Sequence, residues 1–168
     1  IEPLWITGQS VRWASALIML AAFILLVCGT FSKNPTSILG SGVLKSRKQW
    51  DNVFAITRHP VMWAVAIWSF VHMLNRPDAT SALFFGSLGF LAIAGSLRQE
   101  VRKRAELGKA WDAFAAQTSF VPFAGLLTGK ARLNWKELAG WPLVIAIALW
   151  AAMLHLHGPL FGVYPVTF

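Results

Sequence analysis

A chain of 168 residues that is 56% hydrophobic, with nine Trp and twelve Phe, is too apolar for a soluble domain of this size. Its mean hydropathy of +0.56 points to an integral membrane protein, and the expected fold class is all-α, a polytopic transmembrane helical bundle forming one domain over residues 1–168. Fifteen Lys and Arg against seven Asp and Glu give a net charge of +8, but no basic run is interleaved with stacking aromatics outside the apolar segments; nucleic acid is not an expected partner, and the lipid bilayer is.

The chain opens at Ile1, not Met, and nothing before it resembles a signal sequence, so a preceding helix is expected to be missing. The first apolar segment, residues 11–31, begins at Arg12 and has the roughly 20 residues a helix needs to cross hydrocarbon. It contains Cys28, the single cysteine, so the chain by itself can build neither a disulfide nor a cysteine zinc site. Asn-Pro and Gly-Ser-Gly turn signals follow, then a stretch suited to the membrane interface.

The second apolar segment, 60–74, is short for a span, with Pro60 at a first helical position behind Thr57, Arg58 and His59. The third, 81–97, carries Gly86, Ser87, Gly89, Gly95 and Ser96, small residues that let helices approach closely in lipid. A basic segment, 98–137, reads first as a helix leaving the membrane, with Val101, Ala105, Leu107, Trp111 and Phe114 as its apolar face. Arg98, Arg102, Lys103 and Arg104 are expected to be solvated or lipid-facing, as is Glu100 unless it pairs with Arg58. The fourth segment, 138–156, has Pro142 near its start, where proline does least harm.

Charge fixes the expected orientation. Lys33, Lys45, Arg47, Lys48 and Arg58 precede the second segment, and Arg98, Arg102, Lys103, Arg104, Lys109, Lys130, Arg132 and Lys136 precede the fourth. Arg12 and Arg76 are left for the opposite side, so the positive-inside rule makes both basic loops cytoplasmic and leaves both ends of the chain outside.

That topology sorts the histidines. His59 and His72 are separated by about 19 Å along a helix and about 220° around it, so they cannot share a metal ion. His72 lies at a depth similar to that of His155 and His157, which point about 200° apart, so one of that pair at most faces it. Facing imidazoles on neighbouring helices form a bis-histidine site for haem b, with Trp68, Phe70, Met73, Met153 and Phe161 nearby. Hydrogen bonding between helices, proton transfer and substrate contact stay open for His72. Arg58 and His59, beside a helix N-terminus, are candidates for holding an anion such as a carboxylate or a phosphate; the plain alternative is headgroup contact and helix capping. There is no metalloprotease motif, nucleophile elbow, phosphate-binding loop or paired carboxylate, and neither Ser41 nor Ser46 has a base nearby.

The stretches "TRHPVMWAVAIWSFVHMLNRPD", "LRQEVRKRAELGKAWDAFAAQTSFVPFAGLLTGK" and "HGPLFGVYPV" resemble the NnrU family of bacterial membrane proteins and the zeta-carotene isomerases that share its domain. On the isomerase branch the resemblance implies haem b, with His72 matching an axial ligand and acting catalytically on a polyene whose central cis double bond isomerises without net redox change. His157 matches the family's closing pattern better than His155 does, and makes His72 and His157 the implied metal ligands. Members usually begin with a further helix bearing a histidine, so the second ligand is expected to be His157 or a residue outside this chain. The NnrU branch implies a role in denitrification. A more distant likeness, to isoprenylcysteine carboxyl and phospholipid methyltransferases, matches Arg58, His59 and Glu100 to an S-adenosylmethionine site. A non-catalytic subunit of a larger membrane complex is the remaining expectation.

Overall fold

The computed structural model describes residues 4–33, 35, 44 and 49–166, and all regular structure among them is helical. In chain order these are α1 (Gln9–Phe31), α2 (Val53–Ile56), α3 (Pro60–Asn75), α4 (Ala79–Leu107), α5 (Lys109–Gln117), α6 (Ala124–Leu127), α7 (Trp135–Leu138) and α8 (Trp141–Phe161). Ser41, Ser46, Lys45, Arg47 and Lys48, and with them the expected interfacial stretch, lie outside the described residues.

Among the described residues three helices, α1, α4 and α8, are long and apolar enough to cross a membrane, while the fourth expected span is a shorter apolar helix. The exception is α3, whose 16 residues reach about 24 Å against about 30 Å of hydrocarbon. Pro60 starts it, and the Arg76–Pro77 turn stops it after Asn75. The other helices run past the apolar runs that predict them. Asp78 accepts a hydrogen bond from the Ser81 backbone N–H and opens α4 early; α8 continues through His155, His157 and Pro159 until Gly162, at φ 71°, ends it.

The helices pack in the order α8, α1, α3, α4. Close approaches use small residues: a Cβ on Gly29 would lie 2.7 Å from Pro60 Cγ, and one on Gly89 3.3 Å from Ser69 Cβ. On the outer faces of α4 and α8, Leu83, Phe90, Leu91 and Val144 are exposed, an apolar surface that suits lipid.

The densest core lies at the Pro60 end of α3. Trp50, Phe54, Trp111 and Phe114 pack edge to face there, with ring centroids 4.6 Å apart for Trp50 and Phe114 and 5.3 Å for Trp111 and Phe114. The chain after α5 is stitched to this core by bonds from Arg58 N–H to Ser119 O, Phe123 N–H to Ile56 O and Thr57 Oγ1–H to Phe120 O, at 2.9, 2.9 and 2.7 Å. Two expectations for the basic segment change here. Val101 and Ala105 face outward while Trp111 and Phe114 are buried, because the helix breaks at Gly108 (φ 49°) and the two halves share no face. Lys103, expected at the surface, is buried and reaches Glu106 at 3.7 Å.

Candidate functional site

At the opposite end of α3, four helices enclose a cavity of about 530 Å³. His72 enters it from α3 and His157 from α8, with ring centroids 6.2 Å apart and planes inclined at 35°. His155, two residues away, points outward and is exposed. Trp68 and Phe85 flank His72 at 4.7 and 5.1 Å, and Phe161 flanks His157 at 4.9 Å. Met153 also lines the cavity, whereas Phe70 is exposed on the far side of α3.

Hydrogen bonds decide what these imidazoles can offer. His72 Nδ1 lies 2.8 Å from Trp68 O, and His157 Nδ1 lies 2.7 Å from Val163 O. A carbonyl can only accept, so both Nδ1 atoms carry protons, and each neutral ring keeps its lone pair on Nε2. A backbone acceptor on the far nitrogen is the usual arrangement behind a metal-ligating histidine. Among the described residues no group of three or more His, Cys, Asp and Glu gathers to hold a metal ion. Two imidazoles are too few for an ordinary zinc site, but they suit a metal that brings its own equatorial donors.

Other cavity residues were not singled out by the sequence. Arg12, Ser15, Ala16, Met19 and Phe23 enter along one face of α1, and Asn75 and Arg76 from the end of α3. Asn75 Nδ2 donates to Ser15 Oγ at 2.8 Å, tying α3 to α1. Trp150 Nε1–H donates to Ala16 O at 2.8 Å and ties α8 to α1. The spacing Trp68, His72, Arg76 would have revealed one face, since residues four apart line up on a helix.

Arg58, His59 and Glu100 form a second cluster, in the core at the Pro60 end. Glu100 lies 2.6 Å from His59 Nε2 through Oε1 and 3.4 Å from Arg58 Nη1 through Oε2, so the pairing expected for Glu100 includes both neighbours. Arg58 and His59 are both buried. Burial pulls the Arg58 guanidinium below its ordinary value, Glu100 opposes this and Arg104 adds to it. Arg58 Nε and His59 Nδ1 are buried without a hydrogen-bond partner.

A family model described as NnrU protein matches residues 1–165. The chain belongs to the NnrU family. Among curated proteins this NnrU chain is similar to the chloroplastic 15-cis-zeta-carotene isomerase of Zea mays, 26% identical over 132 residues, covering 76% of this chain and 34% of that protein. It therefore spans about a third of the length of the curated relative it matches. No solved structure matches it.

Proposed function

We propose that this NnrU protein holds haem b between His72 and His157 and isomerises a cis double bond in a hydrophobic polyene. The observation that carries the reading is the paired imidazoles, 6.2 Å apart, with both Nδ1 protons turned to backbone carbonyls. Two nitrogens ligating one metal from opposite sides at about 2.0 Å each place their ring centres about 6 Å apart, so the spacing fits. The likeness to an isomerase supplies the reaction class.

When bound, the group would supply a metal centre able to donate electron density to a conjugated π system, lowering the barrier to rotation without net redox change. The chain's own part is placement. Trp68, Phe85 and Phe161 present flat apolar faces to a planar or polyene guest, and the Trp150 and Asn75 bonds hold the surrounding helices at fixed separation. The bilayer then delivers an apolar substrate from the side. In this reading the protein sits in a bacterial inner membrane with its basic loops cytoplasmic.

The direct test is to incubate the haem-loaded, reduced protein in detergent with a linear polyene bearing a central cis double bond, and to resolve the isomers by chromatography. Conversion to the trans isomer, lost in His72→Ala, is expected. Haem binding without conversion would move the same site to a nitrogen-oxide role in denitrification or to an accessory subunit.

A second reading has one observation behind it, the gathering of Arg58, His59 and Glu100 that the methyltransferase likeness also singles out. Titration with S-adenosylmethionine tests it, with binding lost in Arg58→Ala. The three groups already bond one another in the core, which favours the haem reading.

A further inference from the structure

We infer that Arg12 and Arg76 hold the two carboxylates at the edge of the haem, an inference that rests on the haem reading above. The cavity is graded from charged to apolar. Along α1 its lining runs from Arg12 through Ser15 and Met19 to Phe23, and along α3 from Arg76 through His72 to Trp68. Both series step by three or four residues, so each follows one helix face, with Arg76 at the cap just past the end of α3, and each runs from a guanidinium to an aromatic ring. A guest matching this has anionic groups at one edge, an apolar plane behind them and a ligand-accepting centre one helical turn in.

The two guanidinium groups are available. Neither Arg12 nor Arg76 forms an ion pair among the described residues. The acid nearest Arg76 in sequence, Asp78, feels the Arg76 charge without forming an ion pair with it, and spends its hydrogen bonds at the start of α4, accepting from the Ser81 N–H at 2.8 Å and from its hydroxyl at 2.7 Å. Arg76 follows His72 by four residues, about 6 Å along the axis, a separation that the long Arg side chain extends. Two cations on two different helices suit two carboxylates better than the single one of a fatty acid, and Arg binds carboxylate in a bidentate fork.

The test uses the whole chain, purified haem-free in mild detergent and titrated separately with haem and with haem dimethyl ester, following the Soret band. Wild type is expected to bind the diacid at least about tenfold tighter than the diester, as charge-assisted hydrogen bonds require. Arg12→Gln with Arg76→Gln should weaken the diacid alone and erase the preference, leaving the Soret position unchanged because both imidazoles still ligate. Lys at both positions should restore most of it. Equal wild-type binding of the two porphyrins would overturn the inference without any variant having to fold, and so would a preference that survives in the double Gln variant. If the Soret band of neither porphyrin shifts from that of the free compound in wild type, the haem reading falls and takes this inference with it. Displacement of the diacid by equimolar oleate would identify a fatty-acid site instead.

Discussion

His72 and His157 meet from helices that do not follow one another in sequence, yet they are mounted differently. His72 donates its Nδ1 proton to Trp68 O, four residues earlier within α3, while His157 donates to Val163 O, beyond the end of α8. The first anchor lies inside a continuous helix and the second depends on the closing turn. His72→Ala is therefore expected to lose haem while the protein still inserts. His157→Ala should retain haem in altered form, with a shifted, broadened Soret band. Haem content and spectra of both variants check this; a full, unshifted spectrum in His72→Ala would remove it as a ligand.

The closing turn gives a separate prediction. A Cβ on Gly158 would collide with the Tyr164 ring, so Gly158 is where the last turn of α8 and the segment after it touch. Gly158→Ala must displace Tyr164, and with it the neighbouring Val163 carbonyl that orients His157. Its spectrum is expected to move toward that of His157→Ala although both histidines remain. An unchanged spectrum would mean that the Val163 bond does not orient His157.

At the other end of α3, Glu100 bridges two buried partners. Glu100→Leu leaves the Arg58 charge buried without its counter-ion, which is expected to cost about 3 kcal/mol. Because the cluster lies apart from the cavity, the haem spectrum should be retained in the folded fraction. Thermal melting in detergent measures the first effect and absorption the second; a melting temperature equal to wild type would show the cluster to be energetically neutral.

Packing between α3 and α4 can be probed with two glycines on one helix. Gly89 has Ser69 3.3 Å from where its Cβ would be, whereas Gly95 has nothing within 4 Å. Gly89→Leu should push α4 off α3 and destabilise by about 1–3 kcal/mol, while Gly95→Leu should be neutral or stabilising. Comparable melting temperatures for the two would contradict this packing.

Much of the fold was legible because hydropathy and proline carry it: all four apolar runs are helical, and Pro60 does start α3. Ends set by local geometry were harder to read. The fourth apolar run reads as ending at 156, yet α8 runs on to Phe161, since a proline one turn from the end removes a single hydrogen bond. Lys103 illustrates the same limit, because a lysine in a basic run reads as solvated and its burial depends on tertiary packing. Helix geometry allowed His72 to face only one of His155 and His157, but the Nδ1 acceptors depend on tertiary placement. Arg12 and Arg76 were read purely as topology markers, and their presence in one cavity follows only once α1 is laid against α3.

The central claim, that His72 and His157 hold an iron porphyrin, is tested most directly by the absorption spectrum of the full-length protein, purified in mild detergent from a haem-replete host, before and after dithionite. The account predicts a Soret peak with α and β bands that sharpen on reduction, the pattern of two nitrogen axial ligands. A protein that comes from such a host folded and without a Soret band would contradict it.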